Sequence, residues 1–470
     1  MTTSPIVDTA ALTPFRARLR GPLLLPDADP TAFSESVTIW NGMVKSRPAL
    51  VVRPSGTADV VECVRFAAER RIPIAPKGGG HNLAGTCLPE HGLTVDFCRL
   101  KAVHVDAKKK LAHVQPGALL GDVDRETQLH GLATVLGFVS ETGVAGLTLG
   151  GGYGYLTRRF GWTSDNLVEA EVVTADARVL TANADENPDL FWAIRGGGGN
   201  FGIVTRFTYR LHDVGPQVTG GLIAWPGDRA AAVLAEYAAR TPSLPRELTL
   251  ALTVRLAPPA PFLPQEWHGK LIVLLVVCHT GSEAQATADL APFRALGNPL
   301  VDLVARKPYA VQQSMLDATQ PRGPHYYWKS EFLPVLTPAA RDAFITHASK
   351  PATPLSQLVL FHVGGAIREH AKDDGAVGNR DAEYMFGSAG CWLPDDPNAQ
   401  ANIAAVRGAW EAMRPHSTGG VYVNFLTAEE GEDRVRAAYR DNFERLAALK
   451  AKFDPTNLFQ SNKNVRPSAG

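Results

Sequence analysis

The sequence predicts an α+β fold in two parts, and three observations support this prediction. A chain of 470 residues exceeds the size that one hydrophobic core usually serves, so two domains are expected. From residue 49 the chain begins as strand, helix, strand, whereas after Pro216 it changes to longer apolar strands separated by helices. Such strands are typical of an antiparallel sheet covered on one face. We therefore divide the chain into residues 1–215, residues 216–415 and a tail, residues 416–470, that returns to the first part.

In the first part, short apolar runs between turn residues predict the elements. Residues 1–47 are rich in proline and are expected to form an irregular arm packed on the first domain. Thr57 is the expected N-cap of a helix over residues 58–71, which places apolar residues on one face. Strands are predicted at residues 49–52, 72–75, 93–96, 102–105, 111–114, 167–174, 179–181 and 203–211, and a second helix at residues 188–195.

The second part and the tail are predicted in the same way. Its longer apolar runs favour strands, and the stretches with helical periodicity lie between them. In the tail, a strand over residues 420–425 precedes a helix over residues 431–452. Strands of the second part are predicted at residues 248–256, 271–277, 358–363 and 384–391, and helices at residues 228–240, 282–296, 339–350 and 402–413.

Composition excludes several classes of function. The formal net charge is zero, which gives no electrostatic reason to expect nucleic acid or an anionic membrane as a partner. The five cysteines are scattered and never form a C-x-x-C pair, so neither a disulfide framework nor a structural zinc site is expected. No histidine cluster has metal-ligand spacing, and we predict no metal. There is no basic start followed by an apolar run, so a cytoplasmic protein is expected.

Glycine-rich segments carry the chemistry of the chain. In residues 76–85, three consecutive glycines allow backbone N–H groups to surround an anion such as a pyrophosphate. Lys77 precedes them as a charge partner, and His81 follows with a ring nitrogen that can act as a nucleophile. A second glycine-rich segment spans residues 142–154. We refer to residues 76–85 and 142–154 as the first and second glycine segments.

Other motifs of catalysis or nucleotide binding are excluded. The glycines at 197, 199 and 202 have the spacing of a dinucleotide fingerprint. That fingerprint requires a strand followed by a helix, whereas here a helix comes first and a strand follows. G-x-S-x-G, Walker A and H-E-x-x-H motifs do not occur, which removes the commonest hydrolase, NTPase and metalloprotease interpretations.

Four separate segments of the chain resemble those of one family and follow in the same order. Residues 77–85, 143–154, 187–205 and 450–464 resemble the berberine bridge enzyme-like branch of the FAD-linked oxidases, within the vanillyl-alcohol oxidase superfamily. The resemblance implies a two-part PCMH-type FAD-binding domain, built from residues 1–215 and the tail. It also implies that residues 216–415 are an inserted substrate domain with an antiparallel sheet covered by helices.

The resemblance also implies how FAD is held. His81 resembles the histidine bonded covalently to the 8α-methyl of the flavin ring, the alternative being a histidine that only hydrogen-bonds the cofactor or the turn. Many relatives add a cysteine link, but Val139 stands at that position, so we predict no cysteinyl link. The implied FAD-binding residues are Lys77, Gly78, Gly79, Gly80, His81, Asn82, Gly85, Val139, Thr142, Gly143, Gly146, Gly151, Gly152, Gly202, Ile203, Asn424, Asn462 and Asn464.

Three residues are catalytic candidates. Tyr422 resembles the tyrosine of the family's Y-x-N segment, and alternation along a strand would place Asn424 on the same face. A phenol with a pKa of ~10 needs a nearby cation or the flavin dipole to act as a base. Tyr153 is the second candidate. Thr142 resembles the residue that controls access of O2. Gly387 stands where relatives carry a Gln or Glu.

We therefore predict a covalent flavoprotein oxidase. It would take a hydride from an alcohol, hemiacetal or amine carbon of a sugar or secondary metabolite, and O2 would reoxidise the flavin to give H2O2. The partners are a small-molecule substrate and O2. The alternatives are a flavin-dependent monooxygenase and a flavin- or ligand-binding protein without turnover. The sequence leaves the substrate and the oligomeric state open.

Overall fold

The computed structural model describes residues 9–460 and 462–468, so the first eight residues of the predicted arm lie outside the described residues. The α-helices, α1 to α14, span Thr9–Arg18, Pro30–Val37, Thr57–Arg70, Leu120–Thr127, Val144–Leu149, Thr157–Phe160, Pro188–Ile194, Ala230–Arg240, Glu283–Arg294, Tyr309–Gln313, Pro338–Ala348, Ala399–Met413, Glu432–Tyr439 and Phe443–Phe453.

The strands, β1 to β19, form four sheets. They span Leu23–Leu24, Leu50–Val52, Ile74–Lys77, Leu93–Asp96, Val103–Asp106, Leu111–Val114, Leu132–Ala133, Leu167–Val173, Val179–Asn183, Ile203–Arg210, His212–Asp213, Gln217–Pro226, Leu248–Leu256, Leu271–His279, Val301–Asp302, Ala305–Pro308, His325–Leu333, Gln357–His362 and Tyr384–Trp392.

The first part of the chain contains two main sheets. One has the order β1-β2-β4-β3, with β2 and β3 parallel to β4. Helix α3 connects β2 to β3 and buries Val60, Val64 and Ala67, the face that its periodicity predicts. The other sheet has the antiparallel order β5-β6-β10-β8-β9. Strand β3 leads directly into the first glycine segment, which places that segment at the carboxyl end of a parallel strand.

The middle of the chain forms an antiparallel sheet. Its order is β15-β12-β14-β13-β18-β19-β17, and β16 also pairs with β12. Alternate residues of its strands pack under α8, α9, α11 and α12 in one apolar core. Leu250, Leu252 and Val254 of β13 belong to this core, so Ala251, Thr253 and Arg255 project from the opposite face. The predicted α+β class, with a helix-covered antiparallel sheet, is confirmed.

Four strands of this sheet were not predicted, namely β12, β15, β16 and β17, and the two long ones show why. Strand β12 contains Gly220 and Gly221, which lower strand propensity. Strand β17 contains Lys329 and Glu331, which look like surface residues in the sequence. In the fold both are buried in ion pairs: Lys329 with Glu430 at 3.3 Å and Glu331 with Arg434 at 2.9 Å. Buried partners of this kind come from distant parts of the chain.

The tail and the arm differ from their predictions. Residues 423–425 form a 3-10 turn and not a strand. The predicted helix over residues 431–452 is interrupted at Arg440, whose φ is 51°, and so becomes α13 and α14. Helix α3 begins at Thr57 with Gly56 at the cap, since the Thr57 hydroxyl donates to Glu171 instead of capping the helix. The arm, predicted to be irregular, contains α1 and α2.

The tail packs on the first part of the chain. Leu458 and Phe459 belong to the core that contains β2, β3 and β4. Lys450 is fully buried, and its ammonium donates to Asp454 at 2.6 Å and to the carbonyl oxygens of Asn200 and Phe459. In residues 9–460 and 462–468, no helix has the length and apolar character needed to cross a membrane.

Candidate active site

A cavity of about 750 Å³ lies between the two glycine segments and the uncovered face of the large sheet. It brings together most of the residues predicted to form the site. The predicted residues that line it are Gly78, Gly79, Gly80, His81, Asn82, Val139, Thr142, Gly143, Gly146, Tyr153, Tyr422, Asn424 and Asn462. The predicted residues that do not line it are Lys77, Gly85, Gly151, Gly152, Gly202, Ile203 and Asn464.

The two glycine segments touch through their backbones. A Cβ on Gly79 would lie 2.5 Å from the backbone nitrogen of Gly143, and a Cβ on Gly143 would lie 2.3 Å from that of Gly79. Only residues without a Cβ permit this approach. The contact fixes the two segments as one wall of the cavity.

Gly79→Ala is expected to disrupt this wall. The added methyl group would collide with backbone and not with a flexible side chain, so we expect a loss of about 1–3 kcal/mol in unfolding free energy and impaired cofactor retention. Thermal unfolding and the ratio of bound cofactor to protein measure both effects. Gly56→Ala is the control, because a Cβ there meets nothing within 4 Å. Unchanged stability and cofactor content in Gly79→Ala would contradict the proposed contact.

His81 presents a neutral imidazole at the cavity wall. Trp40 stacks on its ring with a centroid distance of 4.1 Å, and the Trp40 backbone N–H donates to the Gly80 carbonyl at 3.0 Å. His81 Nε2 is buried without a hydrogen-bond partner among the described residues. Burial, with Arg322 nearby, lowers the pKa of His81 to about 3. The ring is therefore uncharged at neutral pH, the form in which an imidazole nitrogen is nucleophilic.

Several residues that were predicted to bind the cofactor instead pack behind the cavity wall. The Lys77 ammonium forms a buried ion pair with Asp96 at 3.2 Å, so it does not face the cavity as predicted. A Cβ on Gly152 would lie 2.3 Å from Thr163 Oγ1, and Ile203 is fully buried in the neighbouring core. Sequence motifs do not separate residues that contact a ligand from residues that pack beneath it.

Tyr422, Asn424 and Tyr153 form a hydrogen-bonded and packed group. Asn424 Nδ2 donates to the Tyr422 hydroxyl at 2.9 Å and to the Gly146 carbonyl at 3.2 Å. The ring of Tyr153 packs edge-on against Tyr422 at 5.0 Å. The 3-10 turn, and not strand alternation, brings Asn424 to Tyr422. Asn424 thereby ties Tyr422 to the second glycine segment.

Both phenols are buried. Burial raises the pKa of Tyr422, while the hydrogen bond from Asn424 lowers it by less. Burial also raises the pKa of Tyr153, and the neighbouring Tyr422 adds to this effect. Among the residues that the structure describes, no cation offsets the effect of burial on the pKa of Tyr422. Both side chains are therefore neutral at neutral pH and can donate or accept a hydrogen bond.

No carboxylate lines the cavity among the residues that the structure describes. Gly387 lies on the cavity face of β19, and a Cβ there would meet only Val359 within 4 Å. A side chain at this position would press on Val359, whose Cγ1 would lie 3.0 Å from the added Cβ. Thr142 lines the cavity, and its backbone N–H donates to the Val139 carbonyl at 3.1 Å, which ties both predicted residues into one turn.

Sequence reasoning missed the cavity residues contributed by the arm and the large sheet. The ring of Tyr326 stacks on the other face of the Trp40 ring, with a centroid distance of 3.7 Å. Trp40 therefore connects His81 to strand β17. Trp328 and Phe425 pack edge-on at 4.9 Å near the same end. Arg255 is the one charged residue in β13. A charge in an otherwise apolar strand was the available signal for a binding residue.

Comparison with known proteins identifies the family. The profile described as FAD binding domain matches residues 48–183, and the profile described as Berberine and berberine like matches residues 421–466. An FAD-linked oxidoreductase of Dictyostelium discoideum is 31% identical over 433 residues, which cover 91% of each chain. The chain belongs to the berberine bridge enzyme-like FAD-linked oxidoreductases. The resemblance and the enzyme class predicted from the sequence are thus confirmed.

Other relatives of this FAD-linked oxidoreductase are similar over nearly their full length. (R)-6-hydroxynicotine oxidase of Paenarthrobacter nicotinovorans is 28% identical over 96% of this chain and 97% of the relative. The crystal structure of 6-hydroxy-D-nicotine oxidase from Arthrobacter nicotinovorans has a TM-score of 0.85 at 25% identity and covers 100% of both chains. Glucooligosaccharide oxidase from Acremonium strictum shares the fold, with a TM-score of 0.87 at 23% identity over 98% of this chain and all of that chain.

The cavity residues of this FAD-linked oxidoreductase fit FAD. Gly78, Gly79 and Gly80 form a wall without side chains at the end of a parallel strand, where backbone N–H groups hold phosphates. Buried polar atoms of the lining without partners among the described residues include His81 Nε2 and the side-chain oxygen of Asn462. A dinucleotide with polar edges supplies partners for such atoms. These residues would hold FAD between the two glycine segments.

Proposed function

We propose that this FAD-linked oxidoreductase is an oxidase that binds FAD covalently through His81 and oxidises a small molecule above the second glycine segment. The substrate carbon would be that of an alcohol, hemiacetal or amine, in a sugar or a secondary metabolite. The observation that carries the proposal is the neutral His81 imidazole beside the glycine wall, with Nε2 buried and without a partner. FAD, when bound, supplies a two-electron acceptor that O2 reoxidises with release of H2O2.

The protonation state of the nearby thiols favours a single covalent link between protein and flavin. Val139 occupies the position of the second link in relatives and lines the cavity. Cys87 and Cys391 also line the cavity, but burial raises the pKa of each to about 11. A thiol reacts as its thiolate, so these two cysteines are poor nucleophiles at neutral pH. His81 is then the residue that tethers the cofactor.

Tyr422 is proposed to hold the substrate hydroxyl or amine by a hydrogen bond as the phenol, and to accept its proton as the phenolate, a form that is scarce at neutral pH because burial raises the pKa. Asn424 donates to the Tyr422 hydroxyl at 2.9 Å, which fixes that oxygen and leaves it able to accept one more hydrogen bond. No described acidic side chain lines the cavity to compete for the proton. Tyr153, packed against Tyr422, is proposed to shape the site, and Thr142 to leave room for O2.

Anaerobic mixing with candidate donors tests the proposed oxidase. A panel of alcohols, reducing sugars and amines should contain a donor that bleaches the yellow flavin colour, and admission of O2 should then restore the colour with an equimolar amount of H2O2. The measurement is absorbance spectroscopy with a peroxide assay. Oxygen-18 from O2 appearing in the product would indicate the monooxygenase instead. Failure of every donor to bleach the flavin would favour a binding protein without turnover.

A further inference from the structure

Arg255 is a buried cation on the substrate side of the cavity. It lies near the end of β13 on the face turned from the apolar core, and its side chain lines the cavity. Its residue exposure is 7%. Its cross-strand neighbours are Gln357 on β18 and Ile272 on β14, and both of these also line the cavity.

The charge of Arg255 has no ion-pair partner in the described part of the chain. Its Nε donates to the Leu256 carbonyl at 3.2 Å. No ion pair joins it to a carboxylate among the described residues, and no described Asp or Glu lines the cavity. Burial lowers the pKa of the guanidinium, yet an arginine remains charged at neutral pH. Because buried charges are normally paired, an uncompensated arginine aimed into a cavity indicates an anionic ligand.

The surroundings of Arg255 define the rest of that ligand. The neighbouring part of the cavity is apolar, with Phe262, Leu263, Leu274 and Leu355 among its lining. A single guanidinium in apolar surroundings matches one carboxylate better than a phosphate dianion, because one cation compensates one negative charge and the second charge of a dianion would stay buried and unpaired. The Gln357 amide is a second donor across the strand pair.

Within the described lining of the cavity, Arg255 is the one cation at this end of the sheet. The other sheet cation in the lining is Lys307 on β16. Lys307 pairs with Val218 on β12, two residues beyond Gly220, and Gly220 pairs with Cys278 of β14, whereas Arg255 pairs with Ile272, six residues before Cys278. Six residues along a strand correspond to about 20 Å. The two cations therefore do not act together on one carboxylate.

We propose that Arg255 binds a carboxylate of the substrate, so that the molecule oxidised is an apolar or aromatic acid carrying the oxidisable alcohol or amine. This inference rests on the proposed function, since it assigns the cavity above the glycine segments to the substrate. Arg255 is a specificity-determining residue in this scheme, and the proton and the electrons of the reaction do not pass through it.

Binding of 4-phenylbutyrate and of its uncharged amide, 4-phenylbutanamide, to the holoenzyme tests the proposal. Isothermal calorimetry and flavin difference spectra give the two dissociation constants without turnover. The wild type should bind the acid at least about 10-fold more tightly than the amide, as expected for a charge-assisted hydrogen-bonded pair. Arg255→Gln should abolish this preference without weakening amide binding, and Arg255→Lys should restore part of it.

Lys307→Gln is the matched control, a cation removed elsewhere in the same cavity, and it should keep the preference for the acid. An equal loss of the preference for the acid in Arg255→Gln and Lys307→Gln would overturn the assignment of the carboxylate to Arg255. The total positive charge of the cavity would then be what attracts the acid. A wild type without preference, or an Arg255→Gln variant that keeps it, would also overturn the proposal. Loss of FAD from Arg255→Gln would show that the arginine serves the cofactor. If no donor bleaches the flavin, the proposed oxidase activity is contradicted. The proposed carboxylate binding by Arg255 is not, because the binding experiment needs no turnover.

Discussion

His81→Ala is expected to yield a protein that loses all of its flavin on acid precipitation, whereas the wild-type pellet stays yellow. The wild-type imidazole is uncharged, since burial lowers its pKa to about 3, and the Trp40 stack at 4.1 Å holds its ring in place. Alanine removes the nucleophilic nitrogen and keeps the glycine wall. The measurement is flavin absorbance in the supernatant and in the washed pellet.

The variant should still fold and bind FAD reversibly, because the glycine contacts and the tail do not depend on the His81 ring. His104→Ala is the control, since His104 is exposed on β5; its pellet should remain as yellow as that of the wild type. A yellow pellet from His81→Ala would show that another residue forms the bond.

Tyr422→Phe is expected to slow flavin reduction by about 10²–10⁴-fold, the usual contribution of a positioned acid or base. Substrate binding should change much less, because the ring and its packing against Tyr153 at 5.0 Å are retained. Stopped-flow reduction under anaerobic conditions separates the rate constant from the dissociation constant. Tyr153→Phe is the matched control: among the residues that the structure describes, the Tyr153 hydroxyl donates to the Met385 sulfur alone, at 3.9 Å, so a smaller loss is expected.

The pH dependence of reduction provides an independent test of Tyr422. Burial raises the pKa of its phenol, so the phenolate fraction increases with pH throughout the neutral and mildly alkaline range. The wild-type rate constant should therefore rise with pH and not level off below about pH 10, the ordinary phenol pKa. Tyr422→Phe should remove this rise. An unchanged reduction rate in the variant, or a wild-type plateau near neutral pH, would exclude Tyr422 as the proton acceptor.

Local sequence pattern was enough to predict the bounds of several strands. Strands β4, β6 and β13 have the predicted bounds, because each is an apolar run between turn residues. Strand β17 was missed since Lys329 and Glu331 are buried there by ion pairs with the tail. Partners about 100 residues away along the chain have no signature in a local window.

The candidate site was predictable where glycines are needed and unpredictable where the large sheet contributes. Gly79 and Gly143 are required because a Cβ on Gly79 would lie 2.5 Å from the Gly143 backbone nitrogen, and runs of glycine are visible in any sequence. Lys77 was predicted to bind the cofactor because it stands beside those glycines, but its ammonium forms a buried ion pair with Asp96. Arg255 and Trp40 enter the cavity from elements far away in the chain, which only the tertiary fold brings together.

The mass of the chain measured after denaturation tests the central claim most directly. Wild-type protein analysed by mass spectrometry under denaturing conditions should exceed its sequence mass by that of one FAD less the two hydrogen atoms lost when the bond forms, and fragmentation should place the addition on His81. A denatured chain at its sequence mass, or an addition located on a cysteine, would contradict the proposal that His81 is the sole tether of FAD.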